Sequence, residues 1–122
     1  MWPLTKMTVV AALLVSGVVI QASPRSRPVD EDAALNLLDR TLKRDRVYAH
    51  RISLDCVTYI TEEATGDYFQ FVLREKHDAK CGGDAETSPM IDRYRVHRRS
   101  GKIEWWQRTE DNWLPYDPAK IR

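Results

Sequence analysis

A chain of 122 residues with 43% hydrophobic and 30% charged content has enough apolar material for a core and too much for a disordered polypeptide. Its 19 basic and 18 acidic residues nearly cancel, so bulk charge points to neither nucleic acid nor a membrane surface as the target. The length excludes two domains of ordinary size.

Lys6 precedes an apolar run from Met7 to Ile20, which gives way to Gln21, Ala22, Ser23 and Pro24. A positive start, a short apolar stretch and a small-residue exit form the pattern of a secretory signal peptide. The run is also shorter than the about 20 apolar residues of a spanning helix. Residues 1–22 are therefore expected to be cut away between Ala22 and Ser23. The product is then periplasmic or secreted, with no stable membrane anchor, and without Lys6 it balances 18 basic against 18 acidic residues. Arg25 and Arg27 lie where the positive-inside tendency favours the opposite orientation, which is the argument for a retained anchor.

Residues 23–29 read as a disordered leader rich in Pro, Ser and Arg, and residues 30–122 as one domain. Asp30 can cap a helix whose first turn carries Glu31 and Asp32. Ala34, Leu35, Leu38 and Leu42 then recur at helical spacing, with Asn36, Asp39, Arg40 and Lys43 opposite. The helix should end near Arg44 or Asp45.

Past Ala49 the period shortens to two. Ile52, Leu54, Cys56 and Ile60 are expected on the inner face of a first strand, with Ser53, Asp55, Val57 and Tyr59 outside. Glu62 to Asp67 reads as a turn around Gly66. A second strand puts Phe69, Phe71 and Leu73 inward, and residues 77–89 form a long polar connection. A third strand from Met90 to Arg98 puts Tyr94 and Val96 inward. Arg99 to Lys102 makes a tight hairpin, and Ile103 and Trp105 begin the inner face of a fourth strand. Trp105 and Trp106 must point to opposite faces. The tail from Arg108, with two prolines, shows little periodicity, and its Trp113, Leu114 and Tyr116 suggest that it packs on the body. The expected fold class is α+β, with one N-terminal amphipathic helix on a four-stranded antiparallel meander.

Two cysteines, Cys56 and Cys81, fall in the mature part. In an oxidising compartment they form one disulfide. The alternative, free thiols or a redox couple, lacks a Cys-x-x-Cys motif. A simple first hairpin would place Cys56 near Leu73, so the chain after His77 must fold back or the first strand must have another neighbour.

The string from His77 to Pro89 is the most unusual of the chain. Gly82 and Gly83 after Cys81 allow a sharp turn at an anchored point, and the structural reading is a pinned crossover with Asp84 or Ser88 capping local amides. A hydrolase reading pairs His77 with Asp78 or Asp84 and makes Ser88 the nucleophile, without a Gly-x-Ser-x-Gly elbow. A calcium reading uses Asp78, Asp84 and Glu86, but not at EF-hand spacing. The preferred functional reading is a recognition loop of His77, Asp78, Lys80, Gly82, Gly83, Asp84 and Glu86, held rigid so that little ordering entropy is lost on binding. No cofactor and no metal is expected.

The outer sheet face is expected to show Tyr59, Tyr68, Val72, Arg74, Arg93, Arg95, His97 and Trp106. Aromatics beside arginines are enriched at protein interfaces, and Arg93, Arg95 and Trp106 join the loop as partner-binding candidates. The plainer reading pairs these arginines with Glu75, Asp92 and Glu104 across strands.

The stretch from Tyr68 to Ile103, through Arg74-Glu75-Lys76-His77, Cys81-Gly82-Gly83-Asp84 and Thr87-Ser88-Pro89, resembles small exported proteins of Gram-negative bacteria. Some similar periplasmic domains are inhibitors or immunity proteins against cell-wall-degrading effectors. The resemblance implies a non-enzymatic binding domain whose partner is a protein, in its concrete form a cell-wall-active enzyme. The other function classes are the small hydrolase at His77 and Asp84 and a structural envelope-associated protein.

Overall fold

The computed structural model describes residues 27–122, together with Ala12 and residues 16–20. Most of the expected signal segment and most of the leader lie outside the described residues. Val29, expected to be disordered, is instead tied down: its amide donates to the Arg98 carbonyl at 2.8 Å, and its carbonyl accepts from Arg98 Nε at 3.2 Å.

Helix α1 spans Glu31–Arg44. Asp30 accepts from the Ala33 amide at 2.8 Å, satisfying one of the free amides of the first turn. Ala34, Leu38, Thr41 and Leu42 form its buried stripe, and the Thr41 hydroxyl is satisfied by the Leu37 carbonyl at 2.7 Å. The helix closes in a double C-terminal clasp, with Arg46 N donating to Lys43 O and Val47 N to Leu42 O, both at 3.2 Å. That clasp puts Arg46 at φ +51°, where glycine is the usual residue.

The sheet is a five-stranded antiparallel meander in chain order: β1 Val57–Ala64, β2 Tyr68–Glu75, β3 Met90–His97, β4 Ile103–Gln107 and β5 Asn112–Pro115. The fifth strand corrects the expectation of four. Gln107 Oε1 gathers the Thr109 amide at 2.6 Å and the Glu110 amide at 3.3 Å, so the chain reverses within four residues and pairs Leu114 with Trp105. Pro115 is tolerated because β5 is an edge strand. A short helix α2, Pro118–Ile121, follows, and the tail docks by Tyr116 Oη donating to Asp45 at 2.8 Å.

The first strand differs most from expectation. The Ser53 hydroxyl accepts from the Asp55 amide at 3.3 Å and a single 3₁₀ turn occupies Leu54–Cys56, so pairing begins only at Val57. Val57 and Tyr59 face inward, and Ile60 is 43% exposed on the outer side. A displaced start inverts every side chain of a strand, which is why the expected faces came out reversed. The pairing then skips from Thr61 opposite Phe71 to Glu63 opposite Gln70, a bulge at Glu62 within the expected turn.

Phe71, Tyr94, Trp105 and Leu114 form one inward row across four strands. With Leu38, Leu42, Leu73, Ile91 and Val96 they make the core between α1 and the sheet. A fully buried Leu or Phe here contributes about 1.5–3 kcal/mol of transfer free energy. Asp92, expected to pair with outer arginines, faces inward and accepts from Tyr48 Oη at 2.6 Å. Tyr48 Oη in turn accepts from Tyr94 Oη at 2.5 Å, since its own proton goes to Asp92. Burial raises the Asp92 carboxyl above its ordinary range against the opposing pull of the Tyr48 hydrogen bond. Trp105 Nε1 is buried with no hydrogen-bond partner; its position beside Asp92 still favours the ionised carboxylate.

Candidate functional site

The β2–β3 connection is pinned by a disulfide between Cys56 and Cys81, with Cα atoms 5.6 Å apart. The chain after β2 folds back toward the start of β1, where the Lys76 amide donates to the Cys56 carbonyl at 2.8 Å. No free cysteine remains among the described residues.

Inside this loop His77 is a hub. Its side chain is only 12% exposed, with Nδ1 2.7 Å from the Asp84 carbonyl and Nε2 2.8 Å from a Glu75 carboxylate oxygen. Both partners accept, so the imidazolium satisfies both bonds. The Glu75 hydrogen bond first, and the Asp84 carbonyl second, raise the His77 pKa above 6.5. Gly83 sits at φ +83°, and a Cβ there would stand 2.7 Å from the imidazole ring. The glycine thus provides both the left-handed backbone and the space for His77.

The other candidates of the loop are used in the same way. Asp78 accepts from the Lys80 amide at 3.0 Å and the Cys81 amide at 2.7 Å. Asp84 accepts from the Glu86 amide at 2.9 Å. The Ser88 hydroxyl donates to the Glu75 carbonyl at 2.8 Å, while Arg74 Nη1 takes the Ser88 carbonyl at 2.8 Å. The proposed acid of a triad therefore meets His77 through its backbone, and the proposed nucleophile faces a carbonyl. These are the bonds of a turn. Among the described residues no group of three His, Cys, Asp or Glu side chains is arranged to hold a metal ion. Lys80, Gly82 and Glu86 are exposed, as are Asp78, Asp84 and Ser88, but the side chains of Lys80 and Glu86 make none of these bonds.

The outer face of the sheet is organised differently. The bulged Glu62 receives Arg93 Nε on both carboxylate oxygens, at 2.9 and 3.0 Å, and Gln70 Nε2 at 2.9 Å. Partial burial alone would raise the Glu62 carboxyl, but these hydrogen bonds hold it below its ordinary range. Gln70 Oε1 accepts from Arg95 Nε at 3.0 Å, so one chain of bonds runs Glu62, Gln70, Arg95 from β1 to β3.

The Arg95 guanidinium lies 4.2 Å from the Tyr68 ring centroid and 4.2 Å from that of Trp113. A cation held by two rings is attracted by both quadrupoles. Trp113 in turn packs against Trp106 across the β4–β5 pair, with centroids 5.2 Å apart. Arg93, Arg95, Trp106 and Trp113 line an open hollow of 440 Å³ that Glu63 and Asp111 border.

The structure thus brings Arg93, Arg95 and Trp106 together, as the sequence suggested, and separates them from His77, Asp78 and Asp84. Tyr59, expected among them, faces the helix and donates to Asp39 at 2.9 Å. Glu75 is taken by His77 and Glu104 by His97, so neither pairs with the outer arginines. Val72 does lie on the outer side, 2% exposed between Ile60 and Arg93 of the neighbouring strands. Trp113, Gln70 and Glu62 were missed. The polar break Arg108-Thr109-Glu110-Asp111 between two Trp-bearing segments was the available signal for the first.

No protein-family model, no curated protein and no solved structure matches the chain. The sheet face and the pinned loop have to be judged by their own chemistry.

Proposed function

We propose that this chain is an exported binding domain that recognises a protein partner through the outer face of its sheet, in an inhibitor or immunity-type role against a cell-envelope enzyme. The observation that carries the reading is the clamping of Arg95 between Tyr68 and Trp113 beside the half-exposed Trp106. Trp, Tyr and Arg dominate the energetics of protein interfaces. Here they are fixed before any partner arrives, so little side-chain entropy remains to be lost. The Cys56–Cys81 disulfide fits an oxidising compartment. No described helix is long and apolar enough to cross a membrane.

In this reading the loop is a rigid shoulder, with Lys80 and Glu86 as rim contacts. A pull-down from envelope extract with the mature domain supplies the partner, and titration of variants assigns the surface. Arg95→Ala and Trp106→Ala should weaken binding strongly while circular dichroism shows a retained fold. Undiminished binding by both variants would remove the sheet face as the site.

A further inference from the structure

Apart from the residues of both regions, two chain segments distant in sequence bring basic side chains together. Arg46, His50 and Arg122 line an open hollow of 400 Å³, completed by Ala49. Among the described residues none of the three forms an ion pair. The one carboxylate beside them, Asp45, already holds Arg44 at 2.9 Å and the Tyr116 hydroxyl at 2.8 Å. Arg122 is oriented by donating Nη2 to the Asp45 carbonyl at 2.6 Å. The arginines of the sheet meet acceptors or rings, as Arg93 and Arg95 do; Arg46 and Arg122 lie near Asp45 but make no ion pair with it.

Arg46 and Ala49 also line a second hollow, of 260 Å³, whose walls include Leu42, Ile52 and Leu54 and also the charged Lys43 and Asp55. An apolar recess therefore adjoins a cationic one, with Arg46 at the junction. The chain holds Arg46 there at a backbone cost, because φ +51° is the position a helix C-terminal clasp gives to glycine. The clasp requires a left-handed residue at this position but not an arginine, and glycine would fill it without strain.

We propose that these adjoining hollows form a binding site for an anionic amphiphile, namely a phosphate-headed lipid whose acyl chain enters the Leu42, Ile52 and Leu54 recess. Guanidinium forks match phosphate oxygens bidentately, and His50 adds a further ring nitrogen. The apolar wall discriminates a lipid from free phosphate. The site lies apart from the residues of the outer-face cluster, so the proposal does not rest on protein recognition there.

The test is a titration of the full chain with dihexanoyl phosphatidic acid below its micelle concentration, against dihexanoyl phosphatidylcholine, inorganic phosphate and hexanoate. Saturable binding of the phosphatidic acid is expected, weaker by about tenfold or more in Arg46→Gly and His50→Glu, the worth of a charge-assisted hydrogen bond. Arg46→Gly should melt no lower than wild type, since glycine relieves the left-handed backbone, so its lost affinity cannot be assigned to misfolding. Ala49→Trp, at an exposed position shared by both hollows, should block binding sterically. Equal affinity for phosphatidylcholine, whose phosphate is neutralised by its choline, would overturn the requirement for an anionic head, and equal affinity for hexanoate would overturn the phosphate assignment. Inorganic phosphate binding as tightly as the lipid would overturn the acyl recess, and binding unchanged in Arg46→Gly would overturn the site itself.

Discussion

The pinned loop and the outer sheet face are both polar, both ordered by named bonds, and both were candidates for recognition, yet they engage their functional groups differently. In the loop the side chains with chemistry are engaged by the loop itself: His77, Asp78, Asp84 and Ser88 each close a bond to the loop's own backbone or to Glu75. On the sheet, Arg95 and Trp113 are fixed by neighbours whose rings and carboxylates still border an open hollow. A group that satisfies its neighbours completely has little left for a partner, whereas a stacked guanidinium keeps donors free at its rim. Richness in catalytic residue types is therefore a poor guide to a site.

The hardest test of this contrast is removal of the disulfide, which closes a separation of 25 residues in the chain. Cys56→Ser should lower unfolding stability by about 3–4 kcal/mol on the chain-entropy account, read from urea denaturation of oxidised wild type and variant. If the loop is scaffold, the fraction that remains folded should still bind the partner with near wild-type affinity. Lost binding by a folded variant would return the recognition role to the loop.

Next in size is the sheet cluster itself. Arg95→Ala should cost about 2 kcal/mol or more in binding, roughly thirtyfold in Kd, as expected of a central anchor. Its stability cost should be smaller, because Arg95 covers ring faces without filling the core. A double-mutant cycle with Trp113→Ala should show coupling, since the two are in direct contact. Strict additivity would mean that the stacking contributes nothing.

Much of this molecule was legible before its structure. Helix α1 announced itself through Asp30 and the Leu38, Leu42 spacing, and β2 to β4 through alternation that put Phe71, Tyr94 and Trp105 inward. The cysteine pair followed from count and setting. What failed did so where local bonding competed with periodicity: Ser53 and Asp55 drew the chain into a turn, delaying β1 and reversing its faces. The fifth strand was hidden because Gln107 closes its turn with a side chain, which left the polar break from Arg108 to Asp111 as its signal. Arg93, Arg95 and Trp106 could be placed on one face by counting, but their partners Glu62 and Gln70 depend on a bulge, and Trp113 on a strand that the prolines disguised.

A smaller effect separates the loop's backbone demand from its covalent pin. Gly83→Ala should destabilise by about 1–2 kcal/mol, from the left-handed φ and from displacement of the His77 ring. Limited proteolysis between Lys80 and Pro89 should accelerate in the variant, while partner binding at the sheet face stays constant. Gly82 offers the internal control: its φ is +77° but no atom lies within 4 Å of an added Cβ. Gly82→Ala should therefore show the backbone part of the penalty alone, and equal costs at both positions would rule out the His77 contact as a contributor.

The subtlest expectation concerns proton binding by the loop. His77 faces Glu75 from β2 and the Asp84 carbonyl and Thr87 hydroxyl from the loop, and the first two favour the imidazolium. Its folded pKa thus lies above the unfolded value of 6.5. A proton held more tightly in the folded state adds stability that is full below about pH 6.5 and is lost as pH rises through the folded pKa. Asp78, lowered chiefly by the Cys81 amide, acts in a separate window: its contribution is present above pH 3.8 and lost as pH falls through its lowered folded value. The melting temperature of wild type relative to His77→Gln should accordingly shrink between pH 6 and 9, as the charge that Gln cannot carry disappears. Imidazole resonances followed by NMR give the direct readout, and a His77 midpoint at or below 6.5 would remove the Glu75 bond from the loop's support. Partner binding through the sheet should not follow that titration, because His77 contacts none of Tyr68, Arg95, Trp106 or Trp113 through the bonds that hold it. A binding curve that tracked the His77 midpoint would instead tie the two regions into one site.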